Sequence, residues 1–307
     1  MSYHTIDISG EGVTLSAKRG QLTCTSDESG LKRIPLEDVG AILVNSRSCL
    51  VHNELLMSAA EHKVAMVFCR CFKPVSVLLP VTRGGDTLLT RAQVEAPRKL
   101  LNQLWLALLR AKLLNQYSLL EEVAVPDEMT ERFRLMLSNP VPAREAICAR
   151  HYWAVLSKAL GLDDFRRERG ASGFNSLLNY GYAVLLSQVL QALLSYGLDP
   201  QYGIHHATRE RAAPLAYDLM EPFRAAFDET AFRWAEARLR ADERLVVSPA
   251  YKAQAIGTLD ALVPCGAKRI RLRHLISRTA GSFRDALLLG KVSEFKPWLR
   301  RTSKWGG

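Results

Sequence analysis

The sequence is short of the features that announce most enzyme classes. The opening MSYHTIDISGEG is polar and has no apolar signal-peptide core, so no secretory leader is expected. The apolar stretches read as interrupted by charge, proline or glycine before they reach a membrane-spanning length, so a soluble, intracellular protein with no membrane role is expected. Of the six cysteines (Cys24, Cys49, Cys69, Cys71, Cys148 and Cys265), only Cys69-Arg70-Cys71 are close, and the paired spacing of a zinc site is absent. Free thiols in a reducing compartment are the expectation. Gly84-Gly85 has neither the spacing nor the Lys-Ser/Thr ending of a phosphate loop, and HExxH is missing, which argues against a zinc protease. No nucleophile elbow or Cys-His nucleophile pattern is present.

What is there begins with charge. The chain has 307 residues, 48% of them hydrophobic and 23% charged, enough apolar content to bury a core. The net charge of +10 is unevenly spread. Residues 1–92 hold 10 Lys and Arg against 9 Asp and Glu, and residues 93–264 balance at 20 each. Residues 265–307 hold 11 against 2, in KRIRLRHLISR and KPWLRRTSKW. Such a concentration is the footprint of a polyanionic partner; the plainer reading is a solvated cationic tail.

The hydrophobic period divides the chain. Residues 1–82 alternate as short strands in HTIDIS, GVTLS and QLTCT. Solid apolar runs follow in VGAILV and VAMVF, a short helix lies over Asn53–Ala60, and a last strand starts at Lys73. Residues 83–93 form a polar junction broken at Gly84-Gly85. Beyond it, Leu100, Leu101, Leu104 and Leu108, and later Val184, Leu185, Val189 and Leu193, follow helical spacing. The fold expected is α+β: a small β-rich domain over 1–82, a linker over 83–93, and a larger α-helical domain over 94–307 ending in a basic tail.

Three short segments could meet around one divalent metal. Asp218 and Glu221 stand three apart, which in a helix places both carboxylates on one face, where they need a metal or a proton between them. A lone DxxE is more often a solvated acidic face. His205 and His206 are adjacent and point to opposite sides of an extended loop, so one of them is the ligand candidate. Glu145 lies early in a helix, where a carboxylate is also the ordinary partner of the helix dipole. Two or three carboxylates with one imidazole suit Mg2+ or Mn2+. Arg166, Arg167, Arg169, Arg209 and Arg211 lie near these segments, and Lys268, Arg269, Arg271, Arg273 and Arg278 lie beyond them. They are the DNA-contact candidates, with local ion pairing as the plainer role.

The segments themselves go further. LSAKRGQLTC, IPLEDVGAILV and KVAMVFC in the β-rich part, and AREAICARHYW, FNSLLNYGYAVLLSQV, GLDPQYGIHH and LAYDLMEPFR in the helical part, resemble the CRISPR-associated Cas-one family in order and spacing. These proteins are the integrases of spacer acquisition. The resemblance covers nearly the whole chain, and LNYGYAVL with DLMEPFR is its most specific pair. It implies a small β-rich domain before a larger helical one, with Glu145, His206 and Glu221 as metal ligands and Asp218 as a further acid of the catalytic set. Where the family usually has phenylalanine this chain has Ile204, and His205 takes an apolar position, so the choice between the two histidines stays open. The implied reaction is attack of a DNA fragment's 3′-hydroxyl on a phosphodiester at the leader–repeat boundary, with Mg2+ or Mn2+ polarising the phosphate. With water as nucleophile, the same site would act as an endonuclease. The implied partners are double-stranded DNA and the Cas-two protein, in a cytoplasmic, prokaryotic setting. The implied assembly is a homodimer formed through the β domains, with two dimers flanking a Cas-two dimer. A non-catalytic DNA-binding subunit and a general metal-dependent nuclease are the alternatives.

Overall fold

The computed structural model describes residues 4–26, 30–78, 87–123, 128–137, 145–168, 172–205 and 213–300. Its first part is built from two four-stranded sheets. One has the order β1 (His4–Ile8), β5 (Val39–Val44), β7 (Ala65–Arg70), β8 (Lys73–Leu78), parallel except for β8. The other has the order β4 (Gly30–Pro35), β3 (Gln21–Ser26), β2 (Thr14–Lys18), β6 (Leu50–Val51). Parallel β5 and β7 need a crossover, which α1 (Asn53–Glu61) supplies. Gly30 and Pro35 bound the edge strand β4.

The apolar run VGAILV makes sense once β5 is seen in place. Every one of its residues is buried. Ile42 and Val44 join the core between the two sheets, whereas Ala41 and Leu43 join the helical core, as do Ala65 and Val67 of β7. A strand covered on both faces has no reason to alternate.

The second part comprises α2 (Thr87–Val94), α3 (Arg98–Val123), α4 (Glu128–Leu137), α5 (Glu145–Ala159), α6 (Gly173–Ser195), α7 (Pro214–Leu219), α8 (Arg224–Arg240), α9 (Pro249–Gly257) and α10 (Leu272–Leu289). The N-terminal strand-rich region and larger helical part agree with the expected fold class. The sequence put a linker over 83–93, but 87–94 is helix α2. Leu89 and Gln93, one turn apart, are buried, and Gln93 exchanges hydrogen bonds of 3.2 and 2.9 Å with the backbone of Asp199.

Helix α6 corrects a second expectation. Its 23 residues carry no charge, and by length and composition alone they could cross a membrane. Here α6 is the central helix: α8, α9, α10, β5 and β7 pack around it. A helix buried on all sides needs no polar stripe. At Gly181 a Cβ would stand 3.3 Å from the ring of Phe227, so the close approach of α8 depends on that glycine.

The C-terminal segment is not a tail as far as Arg300. β9 (Leu262–Cys265) and β10 (Lys268–Arg271) form a hairpin whose turn uses Gly266 at φ +61°. α10 then buries its apolar face, and Phe295 and Trp298 fold back into the core. Arg300 closes the segment with ion pairs to Glu122 (2.6 Å) and Glu229 (2.8 Å).

Candidate metal centre

Helix α3 carries a polar stripe, Lys112, Asn115 and Gln116, in the midst of leucines, and all three are buried. Buried polar side chains need partners, and these organise the site. Lys112 Nζ lies 2.6 Å from Glu145 Oε1, at the start of α5, and 2.9 Å from Glu221 Oε2. Arg224 pairs with the other oxygen of Glu221 at 3.1 Å. Burial pulls the Lys112 ammonium down, but Glu221 and Glu145 more than offset it, so its pKa is raised. Asn115 Nδ2 donates to the carbonyls of Pro222 (2.7 Å) and Trp298 (3.0 Å), tying the Glu221 turn to α3.

Asp218 and Glu221 are not a shared pair. Helix α7 ends at Leu219, and Glu221–Phe223 tightens into a 3-10 turn around Pro222, which lacks an N–H to continue an α-helix. Glu221 therefore turns towards α3, whereas Asp218, fully buried, turns towards the histidine loop. Its Oδ2 accepts the backbone N–H of Ile204 at 2.7 Å and that of His205 at 3.1 Å. Asp218 thus holds the loop by its backbone.

The His205 imidazole stacks on the Trp105 indole, with centroids 4.0 Å apart and 1° between planes. His206 lies outside the described residues, as do Arg169, Arg209 and Arg211. Among the described residues, no three His, Cys, Asp or Glu side chains stand close enough to hold a metal. Two do converge: Glu145 and Glu221 reach a single cation, the Lys112 ammonium. Two hard oxygen donors about one positive centre fit a divalent ion of the magnesium or manganese type.

Behind the site, the Arg224 guanidinium lies 4.5 Å from the centre of the Tyr182 ring. Tyr182 and Tyr152 donate to the two oxygens of buried Asp228 at 2.6 and 2.8 Å. Burial raises the Asp228 carboxyl to about 6 against the pull of both tyrosines, Arg224 and Arg167. Arg167 is committed to the fold by bonds to Asn175 (2.8 Å) and Asn179 (2.9 Å). Arg273 is buried and paired with Asp260 at 2.7 Å, so neither arginine is presented as a free DNA contact. Arg166, Lys268, Arg269, Arg271 and Arg278 are exposed.

Site reasoning from the sequence missed Lys112, Trp105 and Asn115. A signal existed for two of them, since polar residues at i and i+3 in an otherwise leucine-rich helix mark a buried polar stripe.

Comparison with known proteins shows the family. The sequence profile of the family described as CRISPR associated protein Cas1 (Cas-one) matches residues 6–246. The chain belongs to the Cas1 family. It is 29% identical over 292 residues to the CRISPR-associated endonuclease Cas1 of Neisseria meningitidis serogroup C, covering 93% of this chain and 92% of that protein. In fold it is similar to a Cas1 protein from Thermotoga maritima, with a TM-score of 0.77 at 18% identity over 98% of this chain and 100% of the other. It is also similar to a casposase bound to its integration product, with a TM-score of 0.71 at 20% identity over 98% and 96%.

Proposed function

We propose that the chain is a metal-dependent DNA integrase and endonuclease of CRISPR adaptation, joining a fragment's 3′-hydroxyl to a phosphodiester of the repeat array. The observation that carries this reading is the convergence of Glu145 and Glu221, from separate elements, on one cation position within a Cas1-family fold. The two carboxylates would hold Mg2+ or Mn2+, together with His206, the residue that follows His205 in the sequence. When bound, the metal supplies Lewis-acid polarisation of the scissile phosphate and positive charge for the oxyanions that develop.

The chain's own residues do the rest. Arg224, itself held on Tyr182, fixes one oxygen of Glu221 and leaves the other directed at the shared position. Asp218 fixes the backbone from which His206 follows. Exposed cations on β10 and α10 neutralise DNA phosphates without reading sequence.

Neighbours of the same fold suggest the partners. One is a Cas1–DNA complex, with a TM-score of 0.52 at 17% identity, and another a Cas6-RT-Cas1–Cas2 complex, with 0.80 at 15%. On that basis the partners proposed here are double-stranded DNA and Cas2. The assembly proposed is a homodimer through the β-rich domains, with two dimers bridged by a Cas2 dimer. The test is an integration reaction with Mn2+, purified Cas2, a labelled fragment and a plasmid carrying the repeat. Insertion that needs a free 3′-hydroxyl supports the reading. Degradation of arbitrary DNA without insertion makes the chain a general nuclease, and no product with any partner makes it a binding subunit.

A further inference from the structure

We infer that Lys112 is a tethered counter-ion of this centre, one that joins Glu145 to Glu221 in the absence of a divalent cation and competes with that cation for the same carboxylates. The inference rests on the metal reading above and goes beyond it by assigning a role to a residue that the metal reading does not require.

The placement is deliberate in physical terms. The Lys112 side chain is 10% exposed, Glu221 5% and Glu145 24%. A lysine is rarely buried this deeply unless partners hold its charge. Two carboxylates drawn to one point repel unless a cation stands between them, and here the ammonium is within 2.6 and 2.9 Å of both.

Charge counting then makes the competition specific. Among the described residues, the two carboxylates are balanced by the ammonium and the Arg224 guanidinium, so the cluster of these four side chains sums to zero charge. A divalent ion entering it leaves two surplus positive charges where water screens poorly. One of the resident cations must give way. Arg224 is held by Glu221 and by the face of Tyr182. Lys112 has a compact charge on a flexible four-carbon stem, and its Glu145 side is the more exposed one. The cation that leaves is therefore Lys112.

Wild-type protein provides the first test. Amine-directed acetylation, read residue by residue by mass spectrometry, should find Lys112 protected in EDTA and several-fold faster to react once Mn2+ is bound. The second test titrates Mn2+ by electron paramagnetic resonance in K112M and K112Q without DNA. Removing the competitor should tighten binding by about tenfold or more. Mn2+ bound to wild type with Lys112 still protected, or Mn2+ affinity unchanged or weaker in the variants, overturns the inference and leaves the metal reading intact. Mn2+ bound by neither wild type nor variants removes both.

Discussion

His205 lies flat on Trp105, ring centroids 4.0 Å apart with 1° between the planes. A histidine engaged in this way serves as a flat surface, and a flat surface can be replaced by another. Stacked aromatic pairs contribute about 0.5–1.5 kcal/mol beyond area burial. H205F and W105F should therefore retain strand transfer within about threefold, whereas H205A and W105A should lose about tenfold. A metal ligand at 205 would behave otherwise: H205F would then abolish Mn2+ binding, as measured by calorimetry.

Asp218 holds the same loop through two backbone N–H groups. D218A leaves the buried Ile204 N–H and the partly buried His205 N–H without their acceptor, at a cost of about 1–3 kcal/mol in urea unfolding. D218N keeps an oxygen in place and should lose less. A D218A protein as stable as wild type would show that the loop is fixed by other contacts.

Asp228 gives a pH dependence with a definite sign. Burial raises its carboxyl from 3.8 to about 6. Between those values the folded protein keeps a proton that the unfolded chain has released. Stability from this group is thus present below about pH 4 and is lost as pH rises through about 6. D228N does not titrate there. The unfolding free energy of wild type relative to D228N should fall by up to about 3 kcal/mol from pH 4 to pH 7. A difference that stays flat over this range would place the Asp228 carboxyl in its ordinary range.

The exposed cations Lys268, Arg269, Arg271 and Arg278 should set part of the salt dependence of DNA binding. Neutralising all four should flatten the slope of log K against log salt by about 3–4, since each phosphate contact contributes roughly 0.9. R273Q should destabilise the fold instead, because Arg273 is paired with Asp260 inside it. An unchanged slope in the fourfold variant would put the DNA face elsewhere.

Much of this architecture was legible in the sequence, for local reasons. Alternation in TLSAK marks a strand covered on one face, and the leucine spacing of α3 marks a helix. What was not legible depends on distant partners. The uncharged run of α6 is ambiguous until α8, α9 and α10 surround it. KRIR reads as a basic tail until Leu262–Cys265 pairs with it. Asp218 and Glu221 look like one acidic face because spacing assumes an unbroken helix, and Pro222 breaks it. Glu145 and Glu221 were nameable by motif, but the lysine between them comes from α3, 33 residues before Glu145.

The most direct test of the central claim is Mn2+ binding measured alongside strand transfer in E145Q and E221Q, with DNA affinity as the control for folding. The account predicts that either substitution removes the bound Mn2+ and the insertion product while DNA affinity stays near wild type. Mn2+ binding and insertion at wild-type levels in E221Q would contradict it.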